Sequence, residues 1–193
     1  RTRLHCGGSS QSVAAVTFDG VGGTWQLQDA LGLTGAITLT NGTLDTNGKT
    51  IFASSISSSN SNTRTLTLGA SSITLSAASC VVFTTSTGMT VTANTSSITC
   101  NASTATFAGG GLTFASVTLA GSGTATITGA NTFANLTRTG TAVKTDSLKL
   151  STDQVVTGTF TANGNSVLNR LLIQSDTVGT ARTLTAATVS VTN

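Results

Sequence analysis

The chain has 193 residues, enough for one large domain with a substantial buried core. Charged residues make up 8% of it, about a third of the usual ~25%, and threonine, serine and glycine together approach half. A mean hydropathy of +0.24 and 38% apolar residues argue against a disordered chain, and the net charge of +3 comes from scattered basic residues, which argues against nucleic-acid binding.

Extended β structure is the conformation that the composition favours. Threonine, valine, isoleucine and glycine dominate over the strong helix formers, and the chain has no proline. No apolar run reaches the ~18–20 residues that a membrane-spanning helix needs. The chain begins at Arg1 with no signal-like segment, which indicates a processed or excerpted piece of a longer protein.

A lead-in segment is predicted for residues 1–24, in which "CGGSSQS" and "DGVGG" are flexible patches. Trp25 follows directly, and we expect its side chain to cap the first coil of a repeat domain. That domain is predicted to occupy residues 25–193, and no firm boundary divides it.

Internal repeats are the strongest signal in the chain. The segment "TLTLGASSITL" (65–75) aligns with "TVTANTSSITC" (90–100), which places Ile73 on Ile98. The segment "TFASVTLAG" (113–121) aligns with "TFANLTRTG" (132–140), which places Phe114 on Phe133 at a somewhat shorter offset. Strand-and-turn units with offsets of this size are typical of a β-solenoid.

Alternating side chains indicate how each unit is oriented. Leucines and isoleucines alternate with threonines, so one face of each strand is apolar. We predict an all-β right-handed parallel β-helix with coils of roughly 19–25 residues. The Asn-Gly pairs at 41–42, 47–48 and 163–164 supply positive-φ turns, but they could also close hairpins, so an antiparallel β-sandwich is the alternative fold. The inward positions include Leu66, Leu68, Ile73 and Leu75.

Several stretches are interpreted as loops and corners. The serine-rich segment 54–62 is predicted to be an exposed loop, and "GGG" (109–111) and "GSG" (121–123) are predicted corners. The most charged stretch, 144–154, is predicted to be an outward strand pair or loop. Phe107, Phe114 and Phe133 fall on apolar strand positions, which favours a stacked core over a sugar-binding platform.

Catalytic, metal and cofactor sites are not predicted. Glutamate is absent and six aspartates are scattered along the chain, of which Asp45 and Asp153 are interpreted as turn formers. His5 is the single histidine, so a Ser–His–Asp triad or a Cys–His site has little support. The motif "DTNG" (45–48) lacks the remaining ligands of a calcium loop and is interpreted as a turn.

The cysteines leave one question open. Cys6, Cys80 and Cys100 form neither a metal motif nor a disulfide framework. Cys80 and Cys100 could be bridged, but we interpret both as small apolar core residues. The repeat alignment does not place them at equivalent positions, which also argues against a bridge.

Paired threonines raise a further hypothesis. Thr-x-Thr occurs at 65/67, 90/92, 124/126 and 183/185, and a regular threonine array on a solenoid can match an ice lattice. The coil lengths are not constant, which argues against a regular array. We therefore interpret these threonines as the solvated faces of ordinary strands.

The repeats resemble a recurring kind of sequence. The phrases concerned span about residues 15–193: "ITLTNGTLDTNGKTI", "SNSNTRTLTLGASSITL", "VTLAGSGTATITGANTFANLTRTGTA" and "QSDTVGTARTLTAATVSVTN". They resemble the large β-strand-repeat proteins of bacteriophages and bacteria. The resemblance implies a parallel β-helix in a long, exposed, mostly structural protein, with no shared catalytic residues.

A non-enzymatic virion protein is the function that this resemblance implies, as a β-helical segment of a fibre or spike. A bacterial adhesin or extracellular filament subunit is the alternative, and a polysaccharide depolymerase is third. The expected partners are further copies of the chain, for example in a trimer, other virion or surface proteins, and a host glycan or receptor. The expected location is the virion or the cell surface, without nucleic-acid binding, membrane insertion, metal or cofactor.

Overall fold

A computed structural model describes residues 2–6, 13–143 and 145–192. These residues contain strands and turns and no helix. The strands in chain order are β1 Thr2–Leu4, β2 Val16–Phe18, β3 Thr24–Leu27, β4 Leu31–Gly32, β5 Ile37–Leu39, β6 Gly42–Asp45, β7 Ile51–Ala53, β8 Ile56–Ser57, β9 Arg64–Thr67, β10 Ser72–Leu75, β11 Ser79–Val82, β12 Met89–Thr92, β13 Ser97–Cys100, β14 Thr106–Ala108, β15 Thr113–Leu119, β16 Thr124–Thr128, β17 Thr132–Thr139, β18 Ser147–Leu150, β19 Gln154–Asn163, β20 Leu172–Ser175 and β21 Leu184–Thr192.

Three parallel sheets form the walls of a β-solenoid of about seven turns. The first sheet has the order β1-β3-β6-β9-β12, the second β21-β19-β17-β15-β13-β10-β7-β4, and the third β2-β5-β8-β11-β14-β16-β18-β20. The described strand pairs are parallel, and each strand pairs with strands one coil away. The parallel β-helix is therefore confirmed, and the antiparallel sandwich is wrong.

The predicted register is also confirmed. Ile73 pairs with Ile98, and Phe114 pairs with Phe133. Thr65 pairs with Thr90, so like residues stack on like in neighbouring coils. The four predicted inward residues are at most 2% exposed: Leu66, Leu68, Ile73 and Leu75.

Coil length varies more than the sequence predicts. Thr24 pairs with Thr43 in one of the short coils, whereas Val156 pairs with Ala186 in the last coil, which is much longer. The additional residues of the last coil lie in the turns on either side of β20. The strands keep their register because turns absorb the differences in length.

The cross-section of the solenoid changes along its axis. The first sheet ends at β12, and from β15 onward each coil has one long strand in the second sheet and one strand in the third. A core of apolar side chains continues through this change. Phe107, Phe114 and Phe133 are in mutual contact, with ring centroids 4.9 to 5.9 Å apart, which confirms the predicted stacked aromatic core.

Several local predictions need correction. The segment 54–62 is not wholly an exposed loop, because it contains β8 and because Ile56 and Ser58 are buried in the stack. Trp25 does not cap the first coil, since its strand pairs with β1 on one side and β6 on the other. The segment 144–154, whose first residue lies outside the described part, is not an outward strand pair or loop. Its strand β18 belongs to the third sheet, and Ser147, Leu148 and Leu150 are at most 3% exposed.

The predicted lead-in already contributes strands. β1 and β2 lie before residue 25 and pair with β3 and β5 of the following coil. The described residues of the lead-in therefore stack on the solenoid. The division of the chain at residue 24 stays a prediction.

Candidate functional site

The most regular surface of the molecule is a hydroxyl array on the second sheet. One column runs through Thr74, Thr99, Thr118, Thr137 and Thr161 in successive strands. A neighbouring column, two residues earlier in each strand, contains Ser72, Ser97, Ser116 and Asn135. Adjacent strands are ~4.8 Å apart and residues i and i+2 about 6.6 Å apart, so the array is a two-dimensional lattice of small polar groups.

The predicted Thr-x-Thr pairs do not form this array, because 65/67 and 90/92 lie in the first sheet and 124/126 lies in the third. The array does show that unequal coil lengths do not prevent a regular surface. The coils that carry it are unequal, since the stretch of chain from Ile73 to its partner Ile98 is longer than that from Phe114 to its partner Phe133. The columns nevertheless stay in register, because the extra residues lie in turns outside the sheet. Serine and threonine side chains at such pairs also support the sheet through hydrogen-bonded ladders.

Arg64 is a buried arginine at the start of β9. It is 1% exposed, and its guanidinium donates to groups of two turns at one corner of the solenoid. Its acceptors are Ser58 Oγ (2.6 Å), Ser58 O (3.0 Å), Asn62 O (2.6 Å), Thr85 O (2.7 Å) and Thr87 O (2.9 Å). Burial lowers the pKa of this guanidinium, but an arginine stays charged in a protein. The side chain thereby ties two successive coils together.

Arg138 repeats this construction near the end of β17. It is 0% exposed and donates to five backbone carbonyls, two of them in the Gly121–Gly123 turn. Its acceptors are Leu119 O (2.9 Å), Gly121 O (2.9 Å), Gly123 O (2.7 Å), Thr139 O (2.6 Å) and Ser147 O (3.2 Å). Charge-assisted hydrogen bonds are stronger than neutral ones, so Arg138 holds this corner of the solenoid.

Asp146 completes the Arg138 corner. Its carboxylate accepts hydrogen bonds from the backbone N–H of Gly123, at 2.6 Å, and from that of Thr141. Burial alone would raise the pKa of Asp146, but the hydrogen bonds from Thr141 and Gly123 and the charge of Arg138 outweigh it and hold the pKa below its usual range. Asp146 is therefore an ionised structural group near neutral pH.

The burial of Arg64 and Arg138 was not predicted, although the sequence carries a signal for each. The alignment of 113–121 with 132–140 places Arg138 on Leu119, which is an inward position. Arg64 shares strand parity with Leu66 and Leu68, which also point inward. The alternation of side chains along each strand therefore predicted that both arginines are buried. Their charge favoured an exposed position instead.

Cys80 and Cys100 form a disulfide bond, with their Cα atoms 6.0 Å apart. Both are fully buried, as predicted, but the interpretation of them as unpaired core residues is wrong. Cys100 ends β13, which pairs with β10 of the preceding coil. Cys80 lies where the register of β11 shifts between Ser79 and Val81. Such an irregularity redirects a side chain, and it brings two non-equivalent positions into contact.

His5, Cys6 and Asp29 meet near the N-terminal end. Asp29 Oδ2 accepts a hydrogen bond from the backbone N–H of Cys6 at 3.1 Å and lies 3.4 Å from His5 Nδ1. Burial raises the pKa of the Cys6 thiol, and Asp29 raises it further, so the thiolate needed of a nucleophile is disfavoured. His5 and Cys6 border a cavity of about 490 Å³ that is lined mainly by apolar side chains, including Leu4, Phe18 and Leu33.

The remaining aspartates have separate structural partners. Asp45 Oδ1 accepts from the backbone N–H of Asn47 at 2.8 Å, which confirms its role as a turn former. Asp153 Oδ1 accepts from the N–H of Thr183 at 2.8 Å, so it links a turn to the next coil. Asp19 accepts from Asn41, and Asp176 accepts from Thr177.

Metal-binding clusters and membrane-spanning helices are absent from the described residues. No group of three or more histidine, cysteine, aspartate or glutamate side chains is arranged to hold a metal ion in the part of the chain that the structure describes. Within the same residues, no helix is long and apolar enough to span a membrane.

Comparison with protein-family models, with curated proteins and with solved structures finds no match to this chain. The solenoid fold therefore rests on the strand pairing itself, together with the internal repeats.

Proposed function

We propose that the chain is a non-enzymatic structural element, a β-helical segment of an exposed assembly such as the fibre or spike of a phage particle. The observation that carries this proposal is that the buried charged side chains and two of the three cysteines make structural contacts. Arg64, Arg138 and Asp146 are buried and bonded to turns, and Cys80 and Cys100 are bridged. These groups hold coils together, which suits a part whose task is mechanical.

The disulfide supports a location outside the reducing cytosol. Disulfides persist in secreted proteins and on virion and cell surfaces, and they are rare in the cytosol. The virion and the cell surface are both consistent with the Cys80–Cys100 bridge. A bacterial adhesin or filament subunit is therefore the alternative within the same structural class.

A polysaccharide depolymerase has less support. Hydrolysis of glycosides generally needs two carboxylates held about 5–9 Å apart across the scissile bond. Here Asp45, Asp146 and Asp153 each accept hydrogen bonds from backbone N–H groups of turns. Such bonds are those of turn formers, and in Asp146 they engage both carboxylate oxygens.

Mass spectrometry of purified particles tests the virion assignment. Trypsin is expected to release the peptides 50–64 and 150–170, which lie between basic residues. We expect both in washed phage particles from the source that encodes the sequence, in amounts comparable with known coat or tail proteins. Detection only in cell envelopes would favour the adhesin, and absence from both fractions would overturn the structural assignment.

A second candidate function, ice binding, is favoured by the hydroxyl array. Its spacings of ~4.8 Å between strands and about 6.6 Å along a strand are close to repeat distances of oxygen atoms in hexagonal ice. The threonine column stays in register through six strands of the second sheet and ends at Ser190 in β21. The neighbouring column stays in register over four strands, from β10 to β17. An uncharged, regular surface of this kind could order water.

Ice-affinity partitioning tests this second function. The wild-type chain should concentrate in a slowly growing ice hemisphere, and Thr118→Lys, in the centre of the array, should abolish this retention because it disturbs the lattice. Thr38→Lys, on the third sheet, is the matched control and should be retained. Exclusion of the wild-type chain from ice, at the level of an ordinary globular protein, would exclude ice binding.

A further inference from the structure

One corner of the solenoid has connections of unequal length. The chain passes from the third sheet to the first through residues 19–23 in one coil, through residues 40 and 41 in the next, and through residues 58–63 in the coil after that. Stacked coils follow one another at ~4.8 Å, so a short connection between two long ones leaves a notch. Coils of the described chain bound this notch on both sides.

The notch is a groove of about 330 Å³, which we call the corner groove. Asn41 and Thr43 of the middle coil lie between Val21 of the coil before and Asn62 and Thr65 of the coil after. Pockets for small molecules usually have volumes of ~300–1,000 Å³. The corner groove is at the lower end of this range, so its size suits a small ligand or a short segment of a longer one.

Hydrogen bonds hold the sides of the corner groove in place. Asn41 Nδ2 donates to Asp19 Oδ1 at 2.6 Å, and Asn62 Nδ2 donates to Thr40 O at 3.1 Å. The buried Arg64 donates to Asn62 O at 2.6 Å. Side chains that are already ordered lose less conformational freedom when a ligand binds, so the corner groove is pre-formed.

Uncharged polar groups with unused hydrogen-bonding capacity line the corner groove. Among the described residues, no partner bonds to the hydroxyl groups of Thr43 and Thr65 or to the amide oxygens of Asn41 and Asn62. Thr43 pairs with Thr65 in adjacent strands, so the two hydroxyls are neighbours. Hydroxyl groups both donate and accept, and amide oxygens accept, so a ligand that carries several hydroxyl groups matches this lining.

Anionic ligands do not match the corner groove. Arg64 lines it, but all five N–H groups of its guanidinium already have acceptors. Asp19, bonded to Asn41, places a negative charge beside the groove, and like charges repel. Val21 is 92% exposed and offers an apolar contact. We infer that the corner groove binds a neutral saccharide unit of a surface glycan, through its hydroxyl groups and the apolar face of its ring.

This inference deepens the proposed function and rests on it for its biological setting, since an exposed assembly is what meets a glycan on another surface. The groove itself follows from the three connections. A chain that is present in purified particles but binds no neutral saccharide would overturn the inference and leave the structural role standing. A chain that binds one in the groove but is absent from particles and cell envelopes would overturn the structural role alone.

An array of neutral and acidic oligosaccharides, probed with the full chain displayed on fluorescent particles, tests the ligand class. Multivalent display raises the avidity of a weak single site. The wild type should bind neutral members, and its binding should be nearly independent of salt because no ion pair contributes to it. Binding to acidic members alone, or to no member, would overturn the inference.

Substitutions in one column of the first sheet test the location of the site. Thr43→Phe fills the corner groove and should abolish binding of the neutral oligosaccharide that the wild type binds most tightly. Thr90→Phe lies two coils further along the same column, outside the groove, and is the matched control that should bind as the wild type does.

A hydroxyl deletion tests the contacts without filling the groove. Thr65→Val keeps the shape of the side chain and should weaken binding about tenfold, which corresponds to the loss of one hydrogen bond. Thr92→Val, in a neighbouring column of the same sheet, should have no effect. Calorimetric titration measures the affinities, and circular dichroism checks that each variant is folded. Wild-type affinity in Thr65→Val or in folded Thr43→Phe would overturn the inference.

Discussion

Replacing Arg138 by methionine is expected to lower the free energy of unfolding by about 3–5 kcal/mol, the usual cost of removing one partner from a buried charged network. The methionine fills much of the same space but donates no hydrogen bond. Five backbone carbonyls lose their donor, two of them in the Gly121–Gly123 turn. Asp146 also keeps its buried negative charge without the neighbouring guanidinium. Denaturant titration followed by circular dichroism measures the loss.

Two further variants separate the geometry of Arg138 from its charge. Arg138→Lys keeps the positive charge but lacks the planar fork that reaches several carbonyls at once, so it should fall between the wild type and Arg138→Met. Arg170→Met removes an exposed arginine and should change stability by less than about 0.5 kcal/mol. If Arg138→Met is as mild as Arg170→Met, the buried network does not stabilise the fold.

Hydrogen exchange locates the effect in the chain. Repeat proteins do not always unfold in one cooperative step, so a global titration can understate a local loss. In Arg138→Met the backbone N–H groups of Gly123 and Thr141, which donate to Asp146, should lose protection first. Protection around Arg64, several coils away, should stay close to that of the wild type.

The sequence predicts this fold well because the two dominant signals agree. Strand alternation placed Leu66 and Leu68 inside, and the repeat offset placed Ile73 against Ile98. In a parallel stack both signals describe one geometry, since equivalent residues lie one strand spacing apart. Turn lengths are not constrained in this way. The coil from Val156 to its partner Ala186 is therefore longer than the coil length predicted from the repeats.

The buried polar groups were harder to predict because the repeat alignment indicated burial, whereas the charge of the residue indicated exposure. Arg138 occupies the column of Leu119, but arginine is almost never fully buried unless its donors are satisfied. The acceptors that satisfy it are backbone carbonyls of turns, and their direction depends on turn conformation, for instance on the positive φ of Gly123. A repeat alignment specifies which residue stacks on which, but it does not give the orientation of a turn carbonyl.

Removal of the Cys80–Cys100 bridge should lower the free energy of unfolding by about 3 kcal/mol, the value expected when a cross-link closes a loop of this size. The two cysteines are 20 residues apart in sequence, and the bridge joins β11 of one coil to β13 of the next. The double variant Cys80→Ser, Cys100→Ser is the direct test, with thermal and denaturant unfolding as the measurements.

The free cysteine provides the matched control for the bridge. Cys6→Ser leaves the disulfide intact, so its stability should stay close to that of the wild type. Cys80 and Cys100 are fully buried in the folded chain, so the labelling is done in denaturant. Alkylation before reduction should then label Cys6 alone, and alkylation after reduction should label all three cysteines. A wild-type chain purified under oxidising conditions that takes up three labels without reduction would show that the bridge does not form, and it would remove the support that the disulfide gives to an extracellular location.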